Sequence, residues 1–127
     1  MCIRDSIFQR HGESYFRDLE YTLCQTFPKK KNTVISTGGG LVTQEKNRIE
    51  LQKSGRIFWL DAPVNELLKR IKNIKKRPLL ANATDRHAVL QALKNEREES
   101  YRSLAHIRVD VTGKSPFVIA SEILDYC

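Results

Sequence analysis

The sequence has little that would suggest a membrane-spanning protein, a secreted protein or one stabilised by a structural metal ion. No apolar run approaches the roughly 20 residues of a membrane-spanning helix, and the first residues lack the apolar core of a secretory signal. The three cysteines, Cys2, Cys24 and Cys127, are far apart and odd in number, so they form neither a disulfide framework nor a zinc-ligand spacing. We therefore expect a cytoplasmic chain with no membrane partner and no metal site of its own.

The composition is that of an ordinary globular domain. The 127 residues suffice for one domain, and 40% of them are hydrophobic and 29% charged. The net charge of +7 indicates anionic partners, which leaves nucleic acids, membrane surfaces and phosphorylated metabolites open. The full Gly-x-x-x-x-Gly-Lys-Ser/Thr pattern, which cradles nucleotide phosphates in P-loop proteins, is absent.

Turn signals divide the chain into alternating helices and strands. Helices are predicted over residues 14–26, 44–53, 62–71, 85–104 and from about 116 to 126, and strands over residues 33–36, 56–61 and 107–111. Strands that alternate with helices predict βαβ units and a mostly parallel sheet covered by helices. Asp61 ends the second strand, and we interpret it as a strand-end or helix-cap residue rather than a metal ligand.

Three consecutive glycines follow the first predicted strand. Gly38, Gly39 and Gly40 expose backbone amides at the carboxyl end of that strand, where α/β sheets bind their ligands. Such a turn lets an anion or a sugar-like ligand approach the backbone closely. A permissive tight turn is the alternative, but three glycines exceed what a turn requires. The motif therefore favours a ligand site.

Six basic residues lie within nine positions in the middle of the chain. They are Lys69, Arg70, Lys72, Lys75, Lys76 and Arg77. The Pro-Leu-Leu that follows stiffens the segment, so it could close over a phosphate and exclude water. A solvated helix end and an RNA-binding patch are the alternatives. No aromatic residues interleave with the basic ones, which weakens the RNA interpretation.

Two arginines have helical spacing to their neighbours. Arg17 precedes Glu20 by three residues, which permits either an intrahelical ion pair or a substrate clamp. Arg97, Tyr101 and Ala105 follow at steps of four and share one helical face. Arg97 could present its planar guanidinium to a carboxylate there, although an exposed helix face is the simpler alternative.

Taken in order, these motifs resemble those of shikimate kinase. They are Gly-Glu-x-x-Phe-Arg-x-x-Glu from residue 12, Thr-Gly-Gly-Gly from 37, Leu-Asp-Ala-Pro from 60, Arg-Pro-Leu-Leu from 77 and Arg-x-x-x-Tyr-x-x-x-Ala from 97. The resemblance extends from about Ile7 to the C-terminus. It implies an α/β P-loop kinase fold of the nucleoside-monophosphate-kinase type. It also implies transfer of the ATP γ-phosphoryl group to the 3-hydroxyl of shikimate, with Mg²⁺, in aromatic amino-acid synthesis.

The resemblance further implies a shikimate site. Arg17 and Arg97 would hold the shikimate carboxylate, because two guanidinium groups can share one anion. Glu20 would support the substrate-side arginine. The three glycines at 38–40 would line the shikimate ring and its hydroxyls.

The same resemblance assigns the basic cluster to a lid over residues 69–84. Arg77 would act as the catalytic residue, because it would reach the transferred phosphoryl group and offset the charge that develops there. Arg77 would also contact ATP, and Arg70 would lie against the adenine. The main magnesium ligands are not implied within this chain.

Part of the family pattern is missing. The opening P-loop strand and the second strand with its Asp-x-Asp end are absent, and residues 1–6 do not resemble the family. We expect an N-terminally truncated domain with a non-native start at 1–6, a substrate-binding part at 7–60 and a helix-strand-helix at 85–127. Such a chain would be monomeric and inactive on its own. The alternatives are a non-catalytic kinase-like module that binds a small carboxylate or a protein partner, and a less favoured nucleic-acid binder.

Overall fold

The computed structural model describes residues 3–71, 80 and 84–127. Two compact units are present, Met1–Ile57 and Phe58–Cys127. Most of the expected lid, including Arg77, lies outside the described residues. Among the described residues, no helix combines the length and apolarity needed to cross a membrane.

The first unit is built on two helices. Helix α1 (Ile3–Cys24) is interrupted at Gly12, whose φ of 84° is one that other residues rarely adopt. The part after Gly12 confirms the helix predicted from residue 14, and the helical segment before it was not predicted. Short 3₁₀ turns at Phe27–Lys29 and Leu41–Thr43 precede α2 (Glu45–Gln52).

The prediction of a strand at residues 33–36 was wrong. The segment is not a strand, and Val34 is 98% exposed. A strand needs a neighbour to accept and donate its backbone hydrogen bonds. None of the described residues in the first unit forms a strand, so the β-branched residues at 33–36 have no ladder to join.

The second unit confirms the predicted parallel pairing. Strand β1 (Phe58–Asp61) pairs in parallel with β2 (Ile107–Asp110), in a register that sets Asp61 opposite Asp110. Helices α3 (Val64–Arg70) and α4 (Arg86–Leu104) connect the two strands, and α5 (Pro116–Leu124) follows β2. The carboxyl ends of both strands therefore meet at one edge of the sheet.

Helix caps explain why α4 and α5 begin where they do. The Asp85 carboxylate accepts a hydrogen bond from the Ala88 amide at 3.1 Å and so caps the N-terminus of α4. The Ser115 hydroxyl accepts from the Val118 amide at 3.2 Å, and Pro116 occupies the first turn of α5. These caps satisfy backbone amides that would otherwise lack a partner at the start of each helix.

Each unit has its own buried residues. Ala62, Val109, Val111 and Ile119 form the core of the second unit. In the first unit, the Cys24 side chain is fully buried. Burial raises the pKa of the Cys24 thiol to about 11, and the negative charges of Glu20 and Glu50 add to the rise. Cys24 is therefore a neutral packing residue rather than a reactive thiolate.

Candidate functional site

Arg17 is the centre of a charged cluster on α1. Its Nη1 donates to Glu20 Oε2 at 2.7 Å, and its Nη2 lies 3.5 Å from Glu13 Oε1. The Arg17 and Glu20 side chains are mostly buried, whereas Glu13 is exposed. The intrahelical pair that the sequence allowed is therefore present. Glu20 fixes the direction of the guanidinium because its carboxylate accepts a short charge-assisted hydrogen bond.

The glycine turn lies against this guanidinium. A Cβ added to Gly40 would come within 3.1 Å of Arg17 Nη1 and 3.4 Å of Nη2, so a side chain at this position would crowd the arginine. Gly38 has a φ of 69°, where other residues are strained, and Gly39 lies between the two. The structure thus brings together Arg17, Glu20 and Gly40, and Gly38 and Gly39 precede Gly40 in the same turn. All of them belong to the first unit.

Arg97 lies in the second unit, where its side chain is half-buried on α4. One turn further along the helix, the Tyr101 ring packs against Trp59 with centroids 5.9 Å apart. The Ala105 amide then closes the helix on the Tyr101 carbonyl at 2.9 Å. Tyr101 and Ala105 therefore pack and terminate the helix that carries Arg97.

Arg70 is held on the turn that follows β2. Its Nη2 donates to the carbonyls of Val111 at 2.6 Å and Lys114 at 3.1 Å, and its Nε donates to Glu66 at 3.0 Å. The hydrogen bond from Arg70 lowers the pKa of Glu66, and a hydrogen bond from the Gly113 amide lowers it further. Arg70 thus joins the end of α3 to the carboxyl end of β2, the edge where parallel sheets bind ligands.

The same turn contains a Gly-Lys-Ser sequence that the sequence analysis did not single out. It matches the last three positions of the P-loop pattern, but Arg108 stands where that pattern has its first glycine. Ser115 caps α5, and Lys114 Nζ pairs with Glu122 at 2.9 Å. These residues are therefore engaged in the turn and do not form a P-loop.

Asp61 anchors the carboxyl end of β1. Its side chain is 7% exposed and accepts from Arg108 at 2.6 Å, while Lys94 Nζ lies 3.2 Å away. Burial favours a higher pKa for Asp61, but the hydrogen bonds and charges of Arg108 and Lys94 outweigh it and hold the pKa below its ordinary value. Because Lys94 also donates to the Ala62 carbonyl at 2.8 Å, Asp61 ties α4 to both strands. The prediction of a strand-end role is confirmed.

The described residues include no group of three or more His, Cys, Asp or Glu side chains that could hold a metal ion. In the first unit Glu20 accepts from Arg17, and in the second unit Glu66 accepts from Arg70. Arg77, the expected catalytic residue, lies outside the described residues.

Known proteins match this chain over almost its whole length. The family model described as Shikimate kinase matches residues 3–127. A shikimate kinase of Persephonella marina is 40% identical over 118 residues, which cover 93% of this chain and 70% of the relative. One from Sulfurihydrogenibium sp. is 40% identical over 124 residues, which cover 98% of this chain and 72% of the relative.

Solved structures give the same result. A shikimate kinase from Acinetobacter baumannii, in complex with shikimate, aligns with a TM-score of 0.83 at 32% identity and covers 94% of this chain and 66% of its own. The shikimate kinase of Aquifex aeolicus aligns with a TM-score of 0.76 at 36% identity, covering 95% and 69%. The expected P-loop kinase fold class is confirmed. The chain belongs to the shikimate kinase family.

Proposed function

We propose that this chain supplies the shikimate-binding part of a kinase that transfers the γ-phosphoryl group of ATP to the 3-hydroxyl of shikimate. The observation that carries the proposal is the Arg17 guanidinium, which Glu20 holds at 2.7 Å beside the bare backbone of Gly40. A directed guanidinium beside an open glycine turn fits a planar carboxylate on a hydroxylated ring. The structural similarity to a relative in complex with shikimate supports this assignment.

The binding steps follow from the chemistry of each group. Arg17 would take the carboxylate, and the family resemblance implies Arg97 as a second guanidinium for this anion. Gly38, Gly39 and Gly40 line the ring, since the absence of side chains lets the hydroxyls approach the backbone. Glu20 keeps the Arg17 fork pointed at the ligand.

Only some of the residues expected to bind ATP are among the described residues. MgATP, when bound, supplies the transferred phosphoryl group and its activation. Arg70 would lie against the adenine, and Arg77 in the lid would reach the phosphoryl group. The turn anchored by Arg70 at the carboxyl end of β2 fits a base-binding role. The family resemblance does not imply the main magnesium ligands within this chain, and the described residues include no group of three or more His, Cys, Asp or Glu side chains that could hold a metal ion.

The first test is shikimate binding by the 127-residue chain. Isothermal titration is expected to show saturable binding of shikimate. The affinity for its methyl ester is expected to be lower by about tenfold or more, because the ester lacks the charge that the arginines recognise. The ester keeps the ring and all three hydroxyls, so it is a matched control. Equal affinity for acid and ester would contradict the proposal, as would no binding of either.

Phosphoryl transfer by these 127 residues alone is expected to be negligible. The Gly-x-x-x-x-Gly-Lys-Ser/Thr cradle is not among them, and in P-loop enzymes it supplies the phosphate-binding amides, the lysine and a magnesium ligand. A coupled ADP-release assay with shikimate and MgATP measures the rate. The Arg17→Ala variant is the control for contaminating kinase. Steady-state turnover that Arg17→Ala removes would show the expectation wrong.

We further propose that the chain is a cytoplasmic monomer whose binding partners are shikimate and ATP, without nucleic acid or membrane. A non-catalytic module that binds a carboxylate or a protein is not favoured, because the family match extends over residues 3–127. Equilibrium sedimentation of the chain with and without shikimate tests the monomeric state.

A further inference from the structure

The four backbone carbonyls from residue 40 to residue 43 are each hydrogen-bonded to a side chain. The donors are Thr43, Asn47 and Arg48. Thr43 Oγ1 donates to the first carbonyl at 2.7 Å, and Asn47 Nδ2 donates to the second at 2.8 Å. Arg48 Nη1 donates to the third at 2.9 Å and to the fourth at 3.0 Å. The backbone that follows the glycine turn is therefore fixed along its whole length.

Asn47 is an unusual residue to bury. Its side chain is fully buried, and its Oδ1 has no hydrogen-bond partner among the described residues. A buried acceptor without a partner destabilises the fold, whereas a leucine of similar volume would avoid this cost. The feature that distinguishes Asn47 from leucine is its Nδ2 donor. That donor is directed at the carbonyl of Leu41.

The fixed segment begins at the residue that borders the arginine. Gly40 comes so close to Arg17 that a Cβ there would lie 3.1 Å from Nη1. A backbone shift of a few tenths of an ångström at this point changes the space beside the guanidinium. Thr43 fixes the Gly40 carbonyl, and Asn47 fixes the next one. The start of α2 thus sets the position of the glycine turn relative to Arg17.

We propose that Asn47 and Arg48 are positioning residues for the shikimate carboxylate site. They hold residues 40–43 so that the glycine turn keeps its place beside the Arg17 guanidinium, and neither acts on the substrate directly. The inference rests on the proposed function, because shikimate is the ligand whose site is held. The sequence analysis missed both residues, since it assigned α2 only as a helix. An Asn-Arg pair that begins seven residues after the last glycine of the motif is the signal that could have indicated them.

The test uses Asn47→Leu and Arg48→Met in the 127-residue chain. Both variants keep most of the side-chain volume and remove the donors to the carbonyls. Shikimate affinity, measured by titration well below the unfolding midpoint, is expected to fall about tenfold in each, since small misplacements of binding groups carry large penalties. Lys53→Met is the matched control, because Lys53 ends the same helix, is exposed and pairs only weakly with Glu50 at 3.4 Å. Its affinity is expected to be unchanged.

Two further readouts separate positioning from general destabilisation. Hydrogen exchange of the amides at 40–44 is expected to accelerate in Asn47→Leu while the rest of the unit keeps its protection. Arg48→Lys is expected to recover part of the lost affinity, since an ammonium group can still donate to one carbonyl. A purely structural role would lower the unfolding midpoint but leave the affinity of the folded chain as it was.

The outcomes distinguish this inference from the function on which it rests. Failure of the unmodified chain to bind shikimate overturns the proposed function and the inference together. Binding by the unmodified chain with the same affinity in Asn47→Leu and Arg48→Met overturns the inference alone. A tenfold loss in both variants, with partial recovery in Arg48→Lys, supports it.

Discussion

Arg17→Ala is expected to weaken shikimate binding about a hundredfold, which is the range found when one member of a hydrogen-bonded charge pair is truncated. The substitution removes the guanidinium that meets the carboxylate. It also leaves Glu20, whose side chain is 16% exposed, as an uncompensated negative charge beside the ligand. Loss of attraction and new repulsion thus act in the same direction, so the effect exceeds that of an ordinary salt bridge.

The repulsion can be measured separately. In the double variant Arg17→Ala, Glu20→Ala the facing carboxylate is gone, and affinity is expected to recover in part relative to Arg17→Ala. Arg10→Ala is the matched control, because Arg10 is exposed on the same helix and its loss changes the net charge equally. We expect its affinity to match that of the unmodified chain. An equal loss in Arg10→Ala would mean that net charge, rather than a built site, attracts the ligand.

Arg97→Ala tests the second guanidinium in the same titration. The family resemblance assigns both Arg17 and Arg97 to the shikimate carboxylate, so a loss of affinity is expected in each single variant. Isothermal titration gives the two dissociation constants. If Arg97→Ala binds as tightly as the unmodified chain, the carboxylate is held from the first unit alone.

Local signals made the second unit predictable. Helix α4 was expected at 85–104 and runs over Arg86–Leu104, because Asp85 supplies a side-chain cap that the sequence displays. Strand β2 was expected at 107–111 and ends one residue earlier, although the Val111 amide still donates to the Asp61 carbonyl at 2.9 Å. The start of α4 depends on a neighbour in sequence, and β2 depends on a partner strand within the same unit.

Residues 33–36 show why the same reasoning failed in the first unit. Their β-branched residues favour an extended backbone, and the glycines that follow mark a strand end. Extended backbone becomes a strand only when a second segment pairs with it, and such pairing is not a property of the four residues themselves. Composition alone could not distinguish the two outcomes.

The contacts of the candidate site residues also fall into two kinds, those between neighbours in sequence and those between distant residues. The Arg17–Glu20 pair was foreseeable because a spacing of three places both side chains on one helical face. The bonds from Arg70 to the Val111 carbonyl and from Arg108 to Asp61 join residues 41 and 47 positions apart. Their partners are set by how the helices pack on the sheet, so no local pattern indicated them.

Asp61→Asn is expected to lower the free energy of unfolding by about 2 kcal/mol at pH 7. The substitution keeps the shape of a side chain that is 7% exposed but removes the charge that Arg108 and Lys94 share. Both cations retain contact with solvent, which keeps the loss below that of a fully buried ion pair. Urea denaturation followed by circular dichroism measures the difference.

The pH dependence identifies the charge as the cause. The pKa of Asp61 in the folded chain is held below its ordinary value of 3.8, so its stabilising contribution is complete well above that value. It is lost as the pH falls through the lowered folded-state pKa, and the unmodified and Asp61→Asn chains are expected to converge in acid. Glu98→Gln is the control, since its exposed pair with Arg102 should contribute within about 0.5 kcal/mol. If the difference in free energy of unfolding between the unmodified chain and Asp61→Asn persisted unchanged into strong acid, the amide would destabilise the fold through packing rather than through the loss of charge.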